Sequence, residues 1–258
     1  MRAALENDTP IPNEYKKQKD QAIRDTQLAD DKTIARRTHI DDEYEAAKYR
    51  DPKILITTSR DPSQRLIQFQ KEMKIIMPES IRINRGGYVL KDLVSICQAN
   101  NFTDLMILHE TRGEPDGIIV SHLPYGPTAY FGLSNVVLRH DLKDRADPVS
   151  EAYPHLIFNG FNSTLGDRIS DVLKYLFPLP KVDTKRIITF NNENDYISFR
   201  HHVYKKEDHK NVVLKELGPR FELKPYQVVL GTIDNAQDSQ KEWVLRPYMN
   251  SGKKKNYL

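Results

Sequence analysis

Lys185–Lys224 reads KRIITFNNENDYISFRHHVYKKEDHKNVVLKELGPRFELK, and its pattern decides the fold. It predicts strand, turn, strand, turn, strand, and then a Gly218-Pro219 corner that opens a further strand. Asn191-Asn192-Glu193-Asn194 has the residues of a turn between two apolar runs. From Tyr196 the chain alternates with the period of a strand. Ile197, Phe199, His201 and Val203 face one way, towards a core. Tyr196, Ser198, Arg200, His202 and Tyr204 face the other way. Rings interleaved with cations suit RNA, whose bases stack and whose phosphates need positive partners. An ordinary solvated strand face fits the same pattern, so this stretch leaves both readings open.

Outward from this stretch the chain reads as α/β. After it, Phe221 and Leu223 alternate, while Tyr226, Val228 and Leu230 fall in the opposite phase. That places Pro225 in a bulge. Trp243–Tyr248 is a last strand. Before it come a strand at 154–158, a helix capped by Ser163 or Thr164, and a strand at 187–190. The same order appears earlier in the chain: a strand at 53–58, an Asp61-Pro62 helix start, an amphipathic helix ending before Pro78, and a strand at 81–83. A second helix spans Leu90–Ala99, with Leu93, Val94 and Cys97 inward. Strands follow at 105–108, 118–123 and 129–138, with a hairpin turn at Glu114-Pro115-Asp116-Gly117. The two runs suggest duplicated α/β halves, about 51–147 and 148–250, joined by a polar linker at 141–148.

The rest of the chain is polar. Residues 1–50 hold 10 Lys/Arg against 11 Asp/Glu and few large apolar side chains, which predicts an extended arm. Either a partner orders it or it is a plain tail. Residues 251–258 carry Lys253-Lys254-Lys255 and read as a basic tail. The net charge is +3, and the excess of 29 Lys/Arg over 25 Asp/Glu lies after residue 50. The single cysteine, Cys97, permits no internal disulfide and suggests a reducing compartment. The start has no secretory h-region, and no apolar run approaches the roughly 20 residues of a membrane helix.

Catalytic signatures are missing. There is no glycine-rich phosphate loop. His109-Glu110 lacks the second histidine of a zinc protease, since position 113 is Gly. Arg139-His140-Asp141 scrambles the kinase triplet. His201, His202, His209 and Asp208 match no standard metal spacing. Asp141, Asp144 and Asp147, the nearest carboxylates for a nuclease, fit a linker better. The expectation is a non-enzyme with no cofactor and no metal. Arg60 and Arg65 flank a helix start that would hold a phosphate or serve only as a cap. Arg82 and Arg85 flank a glycine turn, and Lys205 continues the aromatic strand of Arg200 and His202. These form the candidate RNA-binding set.

Three stretches carry a resemblance: ITTSRDPSQRL (Ile56–Leu66), SHLPYGPTAYF (Ser121–Phe131), and Ile188–Thr232 with its ITFNNENDYISFRHHVY, KELGPRFELK and LGT segments. Together they resemble the Brix family of ribosome-assembly proteins, closest to its branch in the U-three small nucleolar ribonucleoprotein. The likeness covers about Asp51–Tyr248. It implies two α/β halves, each like the anticodon-binding domain of class IIa aminoacyl-tRNA synthetases, and RNA binding without catalysis. Gly218–Leu223 corresponds to the family's sigma-seventy-like motif, which adds Arg220 and Phe221 to the expected RNA contacts. An ion pair of Arg220 with Glu216 or Glu222 is the alternative. The branch implies a nucleolar protein of the small-subunit processome. Its expected partners are U-three snoRNA, pre-rRNA, M-phase phosphoprotein ten and Imp-three, with no membrane. Its expected role is support of snoRNA pairing for 18S rRNA processing. A protein-docking scaffold with little RNA contact is the alternative. Relatives usually begin with a longer arginine-rich arm, and Met1 is expected to fall inside that arm.

Overall fold

Short β-branched runs become strands because their stiff side chains suit an extended, half-buried surface. The computed structural model describes residues 43–142, 148–181, 183–206, 212–246 and 257–258. Its strands are β1 (Ile54–Thr58), β2 (Ser80–Arg82), β3 (Asp104–Thr111), β4 (Glu114–His122), β5 (Thr128–Val137), β6 (His155–Asn159), β7 (Arg186–Glu193), β8 (Tyr196–Lys206), β9 (Val212–Glu216), β10 (Arg220–Val229) and β11 (Lys241–Val244). Its helices are α1 (Gln64–Ile76), α2 (Leu90–Ala99) and α3 (Thr164–Lys174). The fold is α/β, and all these strands join one mixed sheet ordered β2-β1-β3-β4-β5-β10-β8-β7-β6. β9 adds to β8, and β11 to β10.

The order is mirrored about its centre. β1 pairs in parallel with β3, and β3, β4 and β5 follow antiparallel. From the far edge, β6 pairs in parallel with β7, and β7, β8 and β10 follow antiparallel. β5 and β10 meet antiparallel in the middle. A Gly-Pro step precedes each of them, at 126–127 and 218–219. Gly126 has φ +106, and a Cβ there would stand 2.7 Å from the Gly231 nitrogen, so only glycine fits.

Alternation sorts the side chains into two layers. α1 and α3 cover one face, where Phe69, Met73, Ile169 and Val172 pack on Ile54, Phe131, Ile188, Phe199 and Phe221. α2 covers the other face only over the first strands, with Leu93, Val94 and Cys97 on Leu55, Leu105 and Ile107. Burial pushes the Cys97 thiol up to about 12, as suits a core residue and not a nucleophile.

Arg186 of β7 fastens β8 and the segment before β6 to the end of α1. It is 1% exposed and uses all five of its N–H donors. Nε donates to His201 Nε2 at 2.8 Å. The Nη groups donate to the carbonyls of Ser150 (3.3 Å), Ala152 (3.2 Å), Ile75 (3.2 Å) and Ile76 (2.6 Å). The last two are carbonyls of the final turn of α1, which lack helical partners and favour a cation. His201 is held neutral: burial, then Arg186, drives its pKa down to about 3. Its Nδ1–H donates to the Gly218 carbonyl at 2.9 Å.

Several local expectations change. The cap of α1 is Ser63, whose hydroxyl accepts from Leu66 N at 3.2 Å, while Asp61 takes φ 51 outside the helix. Asn191–Glu193 stay extended and pair with β8. The turn is Asn194-Asp195, both at positive φ, as a two-residue hairpin requires. Likewise Glu114-Pro115 already pair with β3, and Arg112-Gly113 make that turn. The register shift in β10 does fall at Pro225, but Tyr226 points outward, 41% exposed, and burial resumes at Val228. Residues 1–42 of the expected arm lie outside the described residues. Its last part packs on the fold: Tyr44 stacks on Tyr175 at 4.5 Å, and Glu43 pairs with Arg168 at 2.7 Å. The expected tail does not end in solvent. Tyr257 and Leu258 are buried, with Leu258 N donating to Asp195 at 3.1 Å. Its lysines, the linker carboxylates Asp144 and Asp147, and His209 with Asp208 lie outside the described residues.

Candidate nucleic-acid interface

Beyond α2 and the short 3-10 turn Ile233–Asn235, no helix of the described residues covers that second face of the sheet, and β7, β8 and β10 present it outward. β8 supplies Tyr196, Ser198, Arg200, His202 and Tyr204 to it, all half-buried or exposed. Ile197, Phe199 and His201 are buried behind them. Lys224 of β10 lies over the Tyr196 ring, 4.6 Å from its centroid. Tyr130 of β5 and Tyr226 of β10 extend the aromatic surface, with ring centroids 5.8 Å apart. Arg200 is held flat on the sheet, its Nη1 donating to the Phe199 carbonyl at 2.9 Å and that of Phe221 at 3.4 Å. His202 is kept towards its neutral form by burial, against the pull of Glu216. Lys205 is exposed at the end of the same strand. Arg200 and His202 thus share one face of the strand, while Lys205, in the phase of His201 and Val203, falls on the opposite one. Lys224, Tyr130 and Tyr226 were missed; the alternation of Phe221 and Leu223 already placed Lys224 on this face.

The other expected contacts separate. Phe221 is a core residue, 2% exposed, stacked on Phe199 at 4.4 Å and edge-on to Phe69 at 5.6 Å. It offers no ring to a base. Arg220 pairs with Glu216, Nη1 to Oε2 at 3.3 Å, on the partly exposed side of the corner. Arg65 pairs with Glu114 at 2.7 Å and Asp141 at 3.4 Å. The helix start that was to hold a phosphate is taken: Ser63 N donates to Glu110 Oε1 at 2.8 Å, and the Ser63 hydroxyl also meets that carboxylate. The side chains of Arg60, Arg82 and Arg85 make no hydrogen bond or ion pair with any described residue. Among the described residues no three His, Cys, Asp or Glu side chains are grouped to hold a metal, and no helix is long and apolar enough to cross a membrane.

The sheet thus has α1 and α3 on one face, and on the other α2 beside a stretch of rings and cations. The chain belongs to the Brix domain family, whose model matches residues 59–227. It is 52% identical over 258 residues to the human protein called U3 small nucleolar ribonucleoprotein protein IMP4, covering 100% of this chain and 88% of the relative. A Brix domain-containing protein of Caenorhabditis elegans is 54% identical, covering 100% and 86%. The fission yeast U3 small nucleolar ribonucleoprotein protein imp4 is 53% identical over 212 residues, covering 82% and 73%. In fold, the chain is similar to the crystal structure of a probable ribosomal biogenesis protein from Aeropyrum pernix K1. That match has a TM-score of 0.51 and 20% identity, and covers 67% of this chain and 96% of that one.

Proposed function

We propose that this protein is a non-catalytic, RNA-binding ribosome-assembly factor of the small-subunit processome, acting in the nucleolus. It supports pairing of U-three snoRNA with pre-rRNA alongside M-phase phosphoprotein ten and Imp-three type partners. The observation that carries the RNA reading is the uncovered face of β8 and β10, where Tyr196, Arg200, His202, Tyr204 and Lys224 stand together. The full-length likeness to proteins called U3 small nucleolar ribonucleoprotein protein IMP4 supports the particle. The mirrored strand order and the serine caps of α1 and α3 support a division into halves at about 51–147 and 148–250.

The test is RNA binding by the full chain at low and moderate salt, with a U-three/pre-rRNA duplex and an unrelated RNA of equal length. Phosphate contacts make affinity fall steeply with salt. Tyr196→Ala with Arg200→Ala is expected to weaken binding by about 1–3 kcal/mol per lost stacked base, without changing the unfolding midpoint by more than a few tenths. Absence of binding at low salt, or binding indifferent to both substitutions, overturns the reading. Arg220→Ala, which opens only a partly exposed pair, is expected to cost under about 1 kcal/mol.

A second reading, docking of partner proteins, has its own observation. Among the described residues β9 pairs only with β8, and it exposes Val212 (52%), Val213 (46%) and Leu214 (56%) in succession. Apolar side chains exposed on both faces of an added edge strand fit a protein surface better than RNA. Binding through it would depend weakly on salt, which separates the two.

A further inference from the structure

The loops leaving β1 and β2 run to opposite faces of the sheet. The first enters α1, on the face of Ile54 and Ile56. The second enters α2, on the face of Leu55. The order β2-β1-β3 reverses the chain at β1, and α/β sheets take ligands outside the carboxyl ends of their strands at such a reversal. Polar groups at this end are unused. Thr57 Oγ1, Ser59 Oγ and Arg85 Nε are buried and have no hydrogen-bond partner. Arg85 as a whole is 8% exposed. It contrasts with Arg186, which is also covered but spends every donor.

An arginine covered to this extent with a buried donor unspent is a costly arrangement, and a like charge beside it adds to the cost. Burial and then Arg60 lower the Arg85 pKa, and no carboxylate offsets them. On the neighbouring β3, His109 is held towards its neutral form by burial, with Arg85 adding to the effect and Asp116 opposing it. The α1 start nearby is closed to anions by Glu110. This end of the sheet therefore carries two neighbouring arginines, one with a buried unspent donor, and a buried serine hydroxyl without a partner.

We propose that this end of the sheet binds one phosphodiester of an RNA backbone, held by Arg85 and Arg60 with the Ser59 hydroxyl, and that Tyr88 stacks the adjoining base. Tyr88 belongs to the same turn, its N–H donating to the Arg85 carbonyl at 3.3 Å, and its side chain is 49% exposed. Gly86 and Gly87 leave open space: a Cβ at either would meet nothing within 4 Å. Open room beside an exposed ring suits a stacked base, which favours RNA over a phosphorylated peptide. The assignment rests on the RNA-binding reading above and places it on a second surface.

The test uses the full chain and two readouts. The unfolding temperature is measured in phosphate and in chloride of equal ionic strength. Phosphate is expected to raise it for the wild type and not for Arg85→Met. In chloride, Arg85→Met is expected to unfold at or above the wild-type temperature, because it deletes an unpaired covered charge. A lower temperature would make Arg85 a structural residue and overturn the proposal. RNA affinity at low salt is expected to fall about 10-fold for Arg85→Met and for Arg60→Met, with the log–log salt slope shallower by about 0.7 per lost contact. Tyr88→Ala is expected to weaken RNA but not phosphate. If RNA affinity is unchanged in Arg85→Met while a phosphorylated peptide loses its binding, the site belongs to a peptide and the RNA assignment fails. A wild type that responds to phosphate but binds no RNA sinks the RNA reading itself.

Discussion

Replacing Arg186 with Met tests whether a covered charge can hold this fold together. The methionine fills a similar volume but removes five donors from His201 and four carbonyls. Hydrogen bonds from a charged donor contribute about 1.5–3 kcal/mol each, so five would sum to about 10 kcal/mol. Taking the guanidinium out of water cancels much of that, several kcal/mol for one ion. Burial accordingly lowers its pKa to about 10. What remains is about 3–5 kcal/mol, the usual cost of removing one member of a buried charged set. In urea, with a slope of about 3 kcal/mol per molar, the midpoint is expected to fall by about 1–1.7 M. In a thermal scan the drop is expected to be about 10 °C for a chain of this size. Arg186→Lys, with three donors and no fork, is expected to lie between the two. A midpoint equal to or above the wild type for Arg186→Met would refute the reasoning. It would mean that the desolvation cost exceeds the worth of the five bonds.

Two further outcomes are expected. His201 has its pKa lowered to about 3, from an ordinary value near 6.5. The unfolded chain therefore takes up the proton first, and the stability from this residue is present above about pH 6.5 and is lost as pH falls towards 3. By pH 5 the loss is about 2 kcal/mol, and His201→Gln should remove that part of the acid slope in urea titrations. His122, raised by Asp104 against its burial, acts in the opposite sense and is common to both proteins. Phe221→Ala is expected to cost about 3–5 kcal/mol in urea unfolding, while Phe221→Leu keeps wild-type RNA affinity; a folded Phe221→Leu protein that loses RNA would restore that ring to the binding surface.

Much of the architecture was legible because a strand's period of two is a strong local rule. Ile197, Phe199 and His201 turned inward as alternation required, and α2 runs over Leu90–Ala99 as expected. Composition misled where turn-type residues stay extended. Asn191–Glu193 look like a turn, but cross-strand pairing holds them, and only Asn194-Asp195 take positive φ. The contact set was harder to read, because charge alone does not show where a side chain is spent. Arg65 is consumed by Glu114 and Asp141, across about fifty residues or more. Arg85 is covered although arginine is rarely buried, and no local pattern signals that. Phe221 was named through its motif. Its alternation with Leu223, already visible in the sequence, was the better guide to its burial.

The seam between β5 and β10 has a consequence for how the protein is made. β5 leaves the ribosome about 90 residues before the strand that completes it, which at about 5–20 residues per second is a wait of roughly 5–18 s. During that time the edge of β5 has no neighbour, and Ala129 and Phe131 lack the β10 side chains that later pack with them. An unpaired edge is a template for foreign strands. Synthesis of this chain therefore passes through a stage that calls for chaperone cover, and slow codons placed between β5 and β10 would prolong it.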